Sequence, residues 1–69
     1  MLIARNVRAR RIKRRMSQQA LADKIGVTFQ QIQKYETGAD RVSAGCLRRA
    51  ADALGVSVVD FFRDASARY

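Results

Sequence analysis

Apolar residues recur every three or four positions through most of the chain, strict alternation is never sustained, and proline is absent. This spacing predicts an all-α protein of short helices joined by tight turns, with no strand. The first helix is predicted from about Ile3 to Arg14. Its stripe is Ile3, Val7 and Arg11, so an arginine falls on the apolar face, while Arg8 and Arg15 lie well away from it.

The later elements carry their own start and stop signals. Ser17 can cap a two-turn helix over "QQALADKI" that turns Ala20, Leu21 and Ile25 inward, and Gly26 offers the left-handed conformation that ends it. Val27 can serve as a hydrophobic staple ahead of Thr28, the cap of a third helix running to about Thr37 before Gly38 stops it. After the polar connection "ADRV", Ser43 caps a fourth helix with Leu47, Ala50, Ala51 and Leu54 inward, closed by Gly55. Ser57 then opens a last short helix, "VVDFFRD", with Val58, Phe61 and Phe62 on one side and Val59 toward the other. The tail "ASARY" is expected to fray.

Composition narrows the function classes. The 69 residues make one small domain, residues 1–69, near the lower size at which a core folds unaided, so oligomerisation is in view. One cysteine and no histidine exclude an internal disulfide, a Cys/His zinc site and a histidine general base, so neither an enzyme nor a metal or cofactor site is expected. No charge-free apolar run approaches the roughly 18 residues of a membrane span, and "MLIARNVRARR" places charge where a secretory signal needs an apolar core. A cytoplasmic location without membrane association is expected by default.

Charge changes the picture most. Fourteen Lys and Arg against six Asp and Glu give a net charge of +8, and seven of the basic residues lie between Arg5 and Arg15 with no acid among them. Such a balance implies a polyanionic partner, although charge alone does not separate DNA from RNA or anionic lipid.

On a helical projection of the third helix, Phe29, Ile32 and Glu36 gather on one side with Tyr35 at the border. Gln30 and Lys34 point the other way, flanked by Gln31 and Gln33. Residues 17–37 thus read as two short helices joined by a tight turn, a helix-turn-helix, whose second helix enters the major groove of DNA. A glutamine amide can accept from N6–H and donate to N7 of the same adenine edge, or it can simply occupy a solvated helix surface. The coincidence of amides, turn spacing and positive charge favours the first role.

"SQQALADKIGVTFQQIQKYETG", with "RRIKRRM" upstream and "SAGCLRRAADALGVSVVDFF" downstream, resembles the phage Cro and repressor-type helix-turn-helix family, often called XRE-like. The resemblance covers nearly the whole chain and implies a compact lambda-repressor-like domain of five short helices. It further implies a bacterial or phage transcriptional regulator, a repressor or autoregulator that binds a palindromic double-stranded DNA operator as a homodimer, with no small-molecule effector evident. By the same resemblance Thr28, Phe29, Gln30, Gln33 and Lys34 are expected at or beside the bases, and Gln18 at a phosphate. Arg11 and Glu36 match a buried salt bridge, with Arg11 also a phosphate candidate.

Departures from the family pattern are informative. Arg15 stands where glycine is common, so the turn either holds a non-glycine residue in an unfavourable conformation or ends the helix differently, and it aims one more charge at DNA. Val42 replaces a usual proline, and Asp40–Arg41 replaces the nearby arginine, which makes Arg41 the phosphate candidate there. Phe29 replaces a polar residue of several relatives and can either pack against the second helix or touch a thymine methyl. Cys46 is expected as a small buried thiol, and Val59 as part of a two-fold interface. A stand-alone repressor, a restriction-system controller, an antitoxin-type autoregulator or an excised N-terminal domain all fit the length. The alternative from another class is an antitoxin-type protein-interaction module in which DNA binding is secondary.

Overall fold

The computed structural model describes residues 2–63; Asp64 and the tail "ASARY" lie outside the described residues. Four α-helices follow in order, α1 (Leu2–Lys13), α2 (Gln18–Ile25), α3 (Phe29–Thr37) and α4 (Ala44–Leu54), then a 3₁₀ helix over Val58–Phe62. No strand occurs among the described residues. The all-α class is as the spacing predicts, and the caps explain where each element begins. The hydroxyls of Ser17, Thr28 and Ser43 accept from the backbone N–H of Ala20, Gln31 and Cys46 at 3.0, 3.1 and 3.2 Å, each satisfying one donor that a helix start leaves without an intrahelical partner. Gly26, at φ 77, makes the turn between α2 and α3 in a conformation that costs a side chain strain.

The core forms where α2, α3 and α4 meet over α1. Leu21, Ala22, Ile32, Leu54 and Phe61 are buried at its centre, with Val7, Ile25, Leu47, Ala50 and Ala51 around them. The inward face of α2 differs from expectation: Ala22 is fully buried and Ala20 only half-buried. Because α2 packs against both α3 and α4, its buried arc spans Leu21, Ala22 and Ile25, and Ala20 falls well outside that arc.

The last element differs more. In a 3₁₀ helix, side chains three apart eclipse one another. Val58 and Phe61 therefore face the core, whereas Phe62 turns outward with Val59. Phe62 is 52% and Val59 59% exposed. An α-helical projection had set Phe62 inward beside Phe61; the three-residue repeat reverses that placement. Asn6 fixes the element against α1, its amide donating to the carbonyls of Phe61 and Arg63 at 2.8 and 2.7 Å.

The end of α1 resolves the question at Arg15. Arg15 N–H donates to Ile12 O at 2.9 Å and Met16 N–H to Arg11 O at 3.1 Å, which is the paired bonding of a Schellman cap. Arg15 occupies its left-handed position at φ 55, where glycine would ordinarily sit, at a cost of about 1–2 kcal/mol. Met16, next along, packs onto the core. Two arginines meet carbonyl ends of helices: Arg49 Nε donates to Ile25 O at 3.1 Å, and the Arg14 guanidinium lies over Gly55 at the end of α4. A cation there complements the negative end of the helix dipole.

Candidate nucleic-acid interface

α3 is amphipathic, and its two faces do different things. Ile32, Tyr35 and Glu36 are buried, whereas Gln30, Gln33, Lys34 and Thr37 are exposed. Gln18, the first residue of α2, reaches the same side. These residues, Gln18, Gln30, Gln33, Lys34 and Thr37, line one shallow depression of about 450 Å³. Of the residues expected at the interface, the fold thus brings together Gln18, Gln30, Gln33 and Lys34. Thr37 was missed, although it stands four residues after Gln33 and three after Lys34 and so must share their flank. Its hydroxyl donates to Lys34 O at 3.3 Å.

A charged network ties α1 to α2 and α3, the two helices that line the depression. Arg11 Nε donates to Glu36 Oε2 at 2.6 Å and Nη2 to Oε1 at 3.0 Å, a bidentate pair. Nη1 donates to Met16 O at 2.8 Å, and Gln18 Nε2 donates to Glu36 Oε1 at 3.1 Å. The Glu36 side chain is 2% exposed and that of Arg11 12%. A carboxylate this deeply buried needs its charge and lone pairs met, and here both oxygens are bonded. The salt bridge expected from the family pattern is present. The second expectation for Arg11, a phosphate contact, finds no support in this geometry: the guanidinium is turned inward and three of its N–H groups serve Glu36 and Met16.

The other expected residues fall as follows. Thr28 is exposed and its hydroxyl is engaged as the cap of α3. Phe29 is half-buried and is neither a core residue nor one of the partly buried hydrophobics that rest on the core. Arg15 and Arg41 are exposed, as is Val59. Gln31, to the side of the displayed face, donates to Asp40 Oδ2 at 3.2 Å and so ties α3 to the turn that follows it. Tyr35, placed at the border by the projection, is buried, and its hydroxyl lies 3.8 Å from Cys46 Sγ. Burial, reinforced by that contact, raises the Tyr35 hydroxyl above its ordinary value. The Cys46 thiol is buried as expected. The Ser43 hydroxyl, with the Tyr35 hydroxyl and the Arg49 guanidinium, holds it below its ordinary value against the opposing effect of burial.

Among the described residues no group of His, Cys, Asp and Glu could hold a metal ion, and no helix is long and apolar enough to cross a membrane. What remains is a capped pair of helices across a left-handed glycine turn, the second helix displaying amides and a lysine from a rigid base: the architecture of a helix-turn-helix domain. Residues 7–61 match the helix-turn-helix family profile, and the chain belongs to that family in its XRE type, a non-enzymatic DNA-binding family. It is 53% identical over 62 residues to an uncharacterized HTH-type transcriptional regulator of Sinorhizobium fredii, an alignment covering 90% of this chain and 43% of that protein. Identity is 46% over 63 residues to a similarly named protein of Sinorhizobium medicae, covering 91% and 45%. It is 48% over 62 residues to an uncharacterized transcriptional regulator in the ATPase CF(0) region of Rhodospirillum rubrum, covering 90% and 57%. The chain spans about half the length of the curated relatives it matches.

Proposed function

We propose that the chain is a sequence-specific double-stranded DNA-binding regulator of transcription, acting in the cytoplasm as a repressor or autoregulator. α3 reads base edges in the major groove through Gln30, Gln33 and Lys34, with Thr28 and Phe29 at the leading end of the helix. The observation that carries this reading is the depression shared by Gln18, Gln30, Gln33 and Lys34 on a helix whose other face is locked into the core. Glutamine amides can pair bidentately with adenine, and lysine can donate to guanine or phosphate. Gln18, Arg15 and Arg41 are assigned to phosphates, and the net charge of +8 supplies the attraction that brings duplex and protein together.

The reading includes a homodimer on a palindromic site, with half-sites spaced by about one helical turn, roughly 34 Å. The outward pair Val59 and Phe62 supports it, since two eclipsed apolar side chains on a small basic domain gain by being covered. Selection of bound sequences from random duplex DNA tests the whole proposal. An enriched palindrome is the expected result; an enriched but asymmetric sequence would remove the dimer, and the absence of any enriched sequence would remove base reading and leave a protein-interaction module.

A further inference from the structure

We propose that Phe29 makes the site selective for a 5-methylpyrimidine, thymine or 5-methylcytosine, at one position of the bound sequence. The inference rests on α3 being the reading helix and adds the chemical group that its first residue recognises.

Phe29 follows the capping Thr28 and opens α3, and the N-terminal residues of a recognition helix are those that meet base edges. It sits one turn before the exposed Gln33 on the same flank. The core closes without it: Ile32, Tyr35 and Glu36 hold α3 down, and Phe29 belongs neither to the core nor to the hydrophobics resting on it. Half-buried, the ring keeps part of its surface against protein and offers the rest outward.

The chemistry of the groove decides what such a ring can face. A phenyl group has no hydrogen bond to return to N7 or O6 of guanine, N4 of cytosine or N6 of adenine. Setting it against them would strip water from polar groups without replacement. The pyrimidine 5-methyl is the apolar group that the major groove presents, and it is present on thymine, absent from cytosine and restored by cytosine methylation. A position held by Phe29 therefore rewards the methyl and discriminates weakly among the other features of the base.

The test uses the site obtained by selection from random duplex DNA and compares affinities by fluorescence anisotropy. Each thymine is replaced in turn by deoxyuridine, which lacks only the methyl, and each is also replaced by cytosine and by 5-methylcytosine. At one position per half-site, deoxyuridine should weaken binding about fourfold, the effect of removing one buried methyl. At that same position, 5-methylcytosine should bind about fourfold better than cytosine. Both differences should vanish in Phe29→Ala, whose melting temperature reports that it is folded. Binding by the unaltered protein that is indifferent to deoxyuridine at every position would overturn the inference while leaving base reading intact, as would methyl sensitivity that persists in Phe29→Ala. A selection that enriches no sequence would overturn base reading itself, and this inference with it.

Discussion

Arg11 grips Glu36 with two parallel hydrogen bonds of 2.6 and 3.0 Å across the interface of α1 and α3, in a setting that leaves the carboxylate 2% exposed. Removing one partner of such a pair strands a buried charge, which typically costs 3–5 kcal/mol, whereas replacing both with apolar groups of similar volume is often neutral. Arg11→Ala should therefore lower the melting temperature by roughly 12–40 °C, since a domain of this size loses about 4–8 °C per kcal/mol. The double variant Arg11→Met with Glu36→Leu should recover most of that loss. Thermal melts followed by circular dichroism decide the matter, and an unchanged curve for Arg11→Ala would mean that the pair does not form in solution.

Arg15 is the one non-glycine residue in the left-handed region among those described. Arg15→Gly should remove about 1 kcal/mol of local strain, less the greater freedom glycine gives the unfolded chain, and so raise the melting temperature by a few degrees. If Arg15 contacts a phosphate, the same variant binds DNA more weakly, and the salt dependence of its affinity becomes shallower by about one counterion. Greater stability with undiminished affinity would confirm the strain and remove Arg15 from the phosphate contacts.

Much of this was legible in the sequence because the informative signals are local. Ser17, Thr28 and Ser43 cap the helices they precede, and the spacing of Ile32 and Glu36 against Gln30 and Lys34 separates the held face of α3 from the displayed one. What local signals lack is the identity of the neighbour. Ala20 and Ala22 are the same residue type, and only the packing of α2 against two helices at once selects Ala22 for the core. Phe62 was misplaced because its direction depends on whether "VVDFF" winds with 3.0 or 3.6 residues per turn, and the apolar pattern of five residues is too short to tell. Asn6 and Arg49 bond to carbonyls 55 and 24 residues distant, contacts that no spacing rule reaches. The Arg11–Glu36 pair was legible by another route: the family resemblance implied it, and the apolar pattern agreed, since each charge stood on an apolar stripe.

Electrostatic attraction and base reading should separate cleanly in titrations at different salt concentrations. If about five basic residues neutralise phosphates, the logarithm of affinity falls with log salt at a slope near −4 to −5. Arg41→Ala should reduce that slope by about one and weaken selected and random duplexes alike, because a phosphate contact carries no sequence information. A flat salt response would remove phosphate contacts from the proposal, and a loss confined to the selected sequence would make Arg41 a base reader instead.

Gln30 and Gln31 are adjacent and chemically identical, yet they should behave differently. Gln30 is exposed and lines the depression with Gln18, Gln33 and Lys34, whereas Gln31 is half-buried and its amide donates to Asp40. Gln30→Ala should relax the preference at one base pair by about 1–3 kcal/mol while leaving binding to random duplex nearly intact. Gln31→Ala should leave the selected sequence unchanged. It should instead lower the melting temperature slightly, by the net worth of one exposed hydrogen bond to a charged acceptor. Repeating the selection with each variant reads both effects at once. A motif altered by Gln31→Ala and untouched by Gln30→Ala would mean that α3 presents a different flank to DNA, rotated toward the turn that holds Asp40.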